Sequence, residues 1–191
     1  LLEVAEKIRA AGGEVLPVVS DISKAEDAKR VLEATLKAFG KVDILINNAG
    51  VLDSGLKGID KFSEEDINKV LDINTKGTMY MTREASKEMA KNNYGSIVNV
   101  ASVAGVMGCG GAAYVASKAA IVGLTRHTAL RFAGTNVRCN SLCPGTIVTP
   151  MVAGMNPANL DMDIFVYDYD YNAPSNEHFE NTHYSMYKTI R

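Results

Sequence analysis

The sequence carries almost no excess charge, few cysteines and no apolar run long enough to cross a membrane. Its formal net charge is -2, and lysine and arginine are scattered instead of clustered, which argues against a nucleic-acid surface. The longest apolar runs stop well short of the ~20 residues that a membrane-spanning helix needs. No signal peptide is visible. We therefore expect no nucleic-acid or membrane partner and a cytoplasmic location.

The three cysteines, Cys109, Cys139 and Cys143, form neither a redox pair nor a zinc site. Their number is odd, and the spacing of the last two does not match CxxC or a zinc knuckle. We therefore expect buried, reduced thiols and no metal site. The 191 residues, 47% of them hydrophobic, suffice for the core of one domain.

Alternating strand and helix patterns predict a doubly wound parallel sheet of the Rossmann-like α/β class. The predicted strands are near-continuous apolar runs, as expected when both faces of a sheet are covered. They are Glu14–Ser20, Val42–Ile46, Ser96–Val100 and Val137–Leu142. The predicted helices are a first one that ends before Gly12, then Asp27–Phe39, a long one from an N-cap at Ser63 to Met89, and Ala113–Ala133.

Each predicted strand ends in polar or glycine residues: Asp21-Ile22-Ser23, Asn47-Asn48-Ala49-Gly50, Ala101-Ser102 and Cys143-Pro144-Gly145-Thr146. In an open α/β sheet, ligands bind in the crevice outside the carboxyl ends of the strands. This pattern makes an enzyme the leading interpretation.

Tyr114 and Lys118 are the candidate proton-transfer pair. They lie four residues apart near the start of a helix, so both project from one face. A nearby ammonium and the helix N-terminus both favour the phenolate, and we expect them to lower the phenol pKa from its free value of ~10. The spacing alone is weak, because Tyr184 and Lys188 repeat it without any strand end nearby.

Ser102 strengthens this interpretation because it follows a neighbouring strand and reaches the same edge. The short Gly-rich segment 103–112 connects it to Tyr114. Its hydroxyl can donate to a carbonyl oxygen while tyrosine moves the proton, although a strand-end capping serine is the alternative. A hydrolase nucleophile is not indicated, since the GxSxG elbow is absent.

Taken together, Asn47-Asn48-Ala49-Gly50, Ser102, Tyr114–Lys118 and Pro144–Thr149 resemble the short-chain dehydrogenase/reductase family. The match runs from Leu1 to about Met155. The resemblance implies an NAD(P)-dependent oxidoreductase that interconverts a secondary alcohol and a ketone. The similarity is to 3-oxoacyl reductases and hydroxysteroid dehydrogenases alike, and it implies a small-molecule substrate and a homodimer or homotetramer.

The resemblance also implies a role for each matching residue. Tyr114 would be the acid/base, Lys118 its pKa-lowering partner and ribose ligand, and Ser102 would orient the substrate. Asn74 would hold a water of the proton relay; a buried, hydrogen-bonded asparagine is the alternative. Asp21 and Ile22 would contact the adenine. The other cofactor-binding residues would be Asn47, Ala49, Gly50, Pro144, Gly145, Ile147 and Thr149.

Departures from the family pattern give residues 1–155 the character of a partial domain. We expect the sequence to open in mid-fold, without the first strands, the glycine-rich phosphate loop and the segment that selects NAD or NADP. That would expose apolar strand faces and an unpaired edge, with poor solubility and little activity. A catalytically dead α/β remnant or scaffold is therefore the second hypothesis.

Residues 156–191 form an atypical tail for which we expect poor order. The block Val166–Pro174, followed by Glu177-His178, is faintly similar to a strand-and-loop segment of SGNH-type esterases. There Asn172 would help bind an oxyanion, which makes an esterase the third hypothesis. The esterase nucleophile block is nowhere in the sequence.

Overall fold

The computed structural model describes residues 1–145, 147 and 150–153, and in them three parallel strands form one sheet. Strand β1 is Ile44–Asn47, β2 is Gly95–Val100 and β3 is Val137–Leu142. They lie in the order β1-β2-β3, with Leu45 opposite Ile97 and Ile97 opposite Cys139. All three carboxyl ends therefore meet at one edge, and the predicted fold class is confirmed.

The helices follow the predicted alternation closely. Gly40, in the left-handed region, ends the second helix, and Ser63 with Asp66 forms a capping box at the start of the third. The α-helices are α1 Leu2–Ala10, α2 Ala25–Phe39, α3 Glu64–Val70, α4 Thr78–Lys91, α5 Ala104–Met107, α6 Ala112–Arg131 and α7 Pro150–Ala153.

The core lies between the sheet and helices α2 and α4. Met89 and Ile97 are fully buried there, and Met89 lies so close to Gly95 that a side chain at Gly95 would displace it. The close approach explains why β2 begins with glycine. The buried members of this cluster are Leu32, Ala85, Met89, Ile97, Val137 and Cys139.

The prediction of a strand over Glu14–Ser20 is wrong. The segment is irregular, and Val19 is 80% exposed. A strand needs a hydrogen-bonded neighbour, and none of the described strands pairs with this segment. Among the described strands, β1 pairs with β2 alone, and Ile44 and Ile46 are both more than 60% exposed. The expected exposed apolar strand face is thus seen in the described residues.

The long helix predicted from Ser63 to Met89 is interrupted. Residues Leu71–Gly77 form a π-helical segment between α3 and α4. The apolar pattern continues on both sides of this segment, with Ile67 and Val70 before it and Met81 after it, so the sequence pattern does not reveal the change of winding. Such wide turns occur often at functional sites. Asn74, in its middle, is fully buried.

Two smaller expectations need correction. The connection between Ser102 and Tyr114 is not a simple loop, because it contains the short helix α5. The thiols are not all buried: Cys139 is buried, Cys143 is partly buried and Cys109 is exposed. Among the described helices, none combines the length and apolar character that a bilayer crossing requires.

The surroundings of Asp66 should make the stability of the fold sensitive to acid. Hydrogen bonds from Lys57, at 2.8 Å, and from Ser63 hold the pKa of its carboxyl well below the ordinary range. A lowered folded pKa stabilises the fold fully above the unfolded value of about 3.9, and that contribution is lost progressively as the pH falls from there toward the lower folded pKa. We expect Asp66→Asn to lose less unfolding free energy than wild type between about pH 6 and about pH 3. Urea unfolding at several pH values measures this difference.

Lys57→Met removes the largest cause of this lowered pKa and serves as the companion variant. It should flatten the acid dependence in the same way as Asp66→Asn. Equal acid losses in wild type and Asp66→Asn would show that Asp66 contributes nothing to the pH dependence.

Candidate active site

Two strand-end loops are joined beyond the sheet and form one side of the candidate site. The Ala101 N–H donates to Leu142 O at 2.8 Å, and the Val103 N–H donates to Pro144 O at 3.0 Å. These bonds hold Ser102, at the end of β2, beside the loop that follows β3. The predicted convergence of strand ends is therefore present.

Tyr114 and Lys118 lie on the first turns of α6 and face this edge. The Tyr114 phenol is half-buried, and the Ser102 side chain lies close enough to it to lower the phenol pKa. Lys118 is 4% exposed; its Nζ lies 5.5 Å from the centre of the Tyr114 ring and donates to Val100 O at 2.8 Å. Helix α6 thus places both side chains beside the end of β2.

The ionisation of this pair differs from the sequence-based expectation. Burial raises the pKa of the Tyr114 phenol, and the Ser102 hydrogen bond only partly offsets it. Burial also lowers the pKa of the Lys118 ammonium, with Cys143 acting in the opposite direction. The expected lowering of the phenol pKa is therefore wrong for this structure, because burial outweighs the neighbouring groups that favour the phenolate.

Asn74 connects the loop after β1 to α6. Its Oδ1 accepts from the Val51 N–H at 2.8 Å, and its Nδ2 donates to Val51 O at 2.9 Å and to Ser117 Oγ at 3.0 Å. The side chain is thus a buried, hydrogen-bonded asparagine, the alternative weighed from the sequence. A role in holding a relay water stays a prediction.

Gly50 leaves an opening between two of the candidate residues. A Cβ added at Gly50 would lie 3.3 Å from Asn74 Oδ1 and 3.4 Å from Lys118 Nζ. A buried ammonium and an amide oxygen therefore flank a position that has no side chain of its own. Such a cradle fits a polar ligand group approaching the Lys118 ammonium, as a ribose hydroxyl would.

Asn47 belongs to a polar chain that runs under the strand ends. Its Nδ2 donates to Asn99 Oδ1 at 2.8 Å and to Thr82 Oγ1 at 3.0 Å. Asn99 is fully buried and donates in turn to Thr125 Oγ1 at 2.9 Å. Burial raises the pKa of the neighbouring Cys139 thiol to about 11, so that thiol stays protonated. Asn47 therefore ties β1 to β2 and α4 below the site.

The remaining predicted cofactor residues lie around the edge and have simpler surroundings. The Asp21 carboxylate accepts from the Ser23 N–H and hydroxyl, while Ile22 packs against Gly77 of the π-helical segment. Thr149 lies outside the described residues, as does the tail with Asn172. The others are exposed or partly buried at the strand ends: Ala49, Pro144, Gly145 and Ile147.

Ser117 is a site residue that the sequence reasoning missed. It is fully buried, donates to Tyr114 O at 2.7 Å and accepts from Asn74 Nδ2. Ser117 thereby couples the π-helical segment to the backbone of the candidate acid/base. Its position between Tyr114 and Lys118 was visible, but serine inside a helix carries no signal of a partner 43 residues away.

Residues 1–160 match the model of the short chain dehydrogenase family. This chain belongs to that family. A 3-oxoacyl-acyl-carrier-protein reductase of Thermotoga maritima is 39% identical over 140 residues, covering 73% of this chain and 56% of that protein. The 3beta-hydroxysteroid dehydrogenase 2 of Eggerthella lenta is 38% identical over 146 residues, covering 75% of this chain and 56% of that protein.

A solved structure shows the same fold. NAD+-bound xylitol dehydrogenase superposes with a TM-score of 0.76 at 30% identity, covering 86% of this chain and 69% of that one. The chain spans between 56% and 64% of the length of four curated relatives that it matches. The family resemblance and the Rossmann-like sheet are confirmed, and the similarity to esterases is not supported.

Proposed function

We propose that the protein interconverts a secondary alcohol and a ketone with NAD or NADP as cofactor. The observation that carries the proposal is the meeting of Ser102, Tyr114 and Lys118 at the carboxyl ends of the strands, where ligands of open α/β sheets bind. Family membership and the NAD+-bound relative support the choice of cofactor. The substrate class is a small ketone or its alcohol.

When bound, the reduced nicotinamide supplies the hydride for ketone reduction. In this proposal Ser102 donates a hydrogen bond to the carbonyl oxygen, and Tyr114 transfers its hydroxyl proton to the same oxygen. Lys118, beside the Gly50 opening, would hold the ribose, with Asp21 and Ile22 near the adenine. A positioned acid of this kind contributes ~10²–10⁴ in rate.

The raised pKa of Tyr114 favours the reducing direction at neutral pH. A protonated phenol is the form that can donate a proton, whereas alcohol oxidation requires it to accept one. Oxidation should therefore accelerate as the pH rises toward the phenol pKa. Reduction should be nearly independent of this group at neutral pH and below.

Titration with NADH and with NADPH separates this enzyme from a non-catalytic scaffold. We expect the fluorescence of the reduced nicotinamide to change on addition of the protein, with saturation at one site per chain. Lys118→Met should weaken that binding, because it removes the buried ammonium beside Gly50. Lys87→Met, at an exposed lysine on α4, is the matched control.

An absence of saturable binding to either nucleotide would favour the scaffold hypothesis. The esterase hypothesis rests on Asn172, outside the described residues, and is not carried further.

Self-association of the protein fits a row of small, exposed residues on α6, which would permit the close approach of another helix. These residues are Ala116, Ala119, Ala120 and Gly123.

A further inference from the structure

Asp53 presses a buried carboxylate against the start of the helix that carries Tyr114. It lies in the loop after β1 and is only 4% exposed. A Cβ added at Gly111, the residue before α6, would lie 2.1 Å from Asp53 Oδ2 and 2.4 Å from Oδ1. Only a glycine leaves room for this contact, so the carboxylate and the helix start are packed directly together.

The first turn of α6 needs partners from outside the helix. The opening N–H groups of any helix have no intrahelical acceptor, and Gly111 has no side chain with which to cap them. The loop after β1 supplies one acceptor, since the Ala112 N–H donates to Lys57 O at 2.8 Å. The Asp53 carboxylate lies against the same turn at Gly111, and the backbone amide of Tyr114 lowers its pKa slightly.

The same carboxylate organises the loop itself. The Lys57 N–H donates to Asp53 Oδ2 at 2.9 Å, which positions the Lys57 carbonyl that Ala112 uses. Asp53 therefore acts on the first turn of α6 both directly and through Lys57. Negative charge at a helix N-terminus is favourable, and more so where it is partly buried.

The desolvation cost of burying the Asp53 carboxylate is not explained by its hydrogen bond within the loop. Burial raises the pKa of Asp53, and Asp66 nearby raises it further. In the described part of the chain, Oδ1 has no hydrogen-bond partner. A neutral amide could accept the Lys57 N–H equally well at a lower desolvation cost. The charge is best accounted for by the helix N-terminus that it faces.

We propose that Asp53 is a positioning residue, which holds the first turn of α6 so that the Tyr114 hydroxyl stays within reach of Ser102. The consequence for catalysis rests on the function proposed above. The effect of Asp53 on the helix does not depend on that function, so the positioning role and the proposed reaction can be tested separately.

Hydrogen exchange of the purified 191-residue chain tests the proposal. We expect Asp53→Ala to speed exchange of the amides of residues 112–116 about fivefold to tenfold, as expected for loss of a helix cap. Asp53→Asn keeps the shape and one acceptor, and should show a smaller increase. In Gly111→Ala the added Cβ would clash with the Asp53 carboxylate, and exchange of the same amides should also become faster.

Glu84→Gln is the matched control, since it also neutralises a buried carboxylate but lies on α4. It should leave exchange of residues 112–116 unchanged. The kinetic counterpart is a fall in kcat for Asp53→Ala with the Kd for NADH or NADPH preserved, and a partial return of kcat in Asp53→Asn.

Two results would overturn the proposal. If Asp53→Asn has the same exchange rates and the same kcat as wild type, the carboxylate only fills space. Faster exchange at the Lys57 amide alone would mean that Asp53 closes its own loop and does not hold α6. If wild type shows no turnover with any ketone, the proposed reaction fails while the exchange result still decides the role of Asp53.

Discussion

Replacing Tyr114 by phenylalanine is expected to remove ketone reduction while leaving cofactor binding close to wild type. The ring packs half-buried, with Lys118 Nζ 5.5 Å from its centre, and phenylalanine preserves that packing. Only the hydroxyl, which lies near the Ser102 side chain, is lost. A fall in kcat of ~10²–10⁴ follows from removing a positioned proton donor. Steady-state kinetics and nicotinamide fluorescence measure the two effects separately.

Tyr80→Phe provides the control for this substitution. Tyr80 lies on α4, and Arg83 Cζ lies 5.4 Å from the centre of its ring. It should change neither kcat nor the Kd for the nucleotide. Near-normal turnover in Tyr114→Phe, within the range of Tyr80→Phe, would show that another group moves the proton.

Replacing Asn74 by alanine is expected to produce the largest loss of stability from a single side chain at the site. The substitution leaves the partly buried Val51 N–H and C=O without their side-chain partners and takes a donor from Ser117. Each buried polar group left unpaired costs about 1–3 kcal/mol, so we expect about 3 kcal/mol in total. For a chain of this size that corresponds to a drop in Tm of roughly 6–12 °C.

Asn68→Ala, at an exposed position on α3, is the matched control and should change stability by less than about 0.5 kcal/mol. The loss of stability in Asn74→Asp should lie between those of Asn74→Ala and Asn68→Ala. Aspartate keeps the acceptor for the Val51 N–H but loses both donated hydrogen bonds. If thermal melts of Asn74→Ala and Asn68→Ala coincide, the Asn74 contacts do not stabilise the fold.

Sequence periodicity predicted the elements whose stability is local. Helix α2 and strand β3 carry their own apolar patterns and ends, and the structure places them within two residues of the prediction. Glu14–Ser20 has an equally good strand pattern, but a strand forms only where a neighbour accepts and donates its backbone hydrogen bonds. That condition depends on the rest of the sheet and not on the segment itself.

The site was predictable where chemistry is carried by residue type, and not where it depends on long-range contacts. Ser102, Tyr114 and Lys118 carry reactive groups at strand ends or helix starts, so their positions pointed to one edge. Asp53 and Gly111 are distant in sequence, and neither belongs to a pattern that suggests contact. The direction of the Tyr114 pKa shift was likewise predicted wrongly. Burial raises this pKa, and the sequence spacing of Tyr114 and Lys118 does not reveal how deeply the phenol is buried.

The most direct test of the proposed chemistry is the transfer of deuterium from NADH or NADPH labelled at C4 of the nicotinamide. A 3-oxoacyl thioester and a 3-oxosteroid represent the two activities named for similar proteins. We predict that mass spectrometry finds one deuterium on the carbinol carbon of the product with wild-type protein, and none above background with Tyr114→Phe. Undiminished label in the Tyr114→Phe product, or no label with wild-type protein that binds the nucleotide, would contradict the assignment.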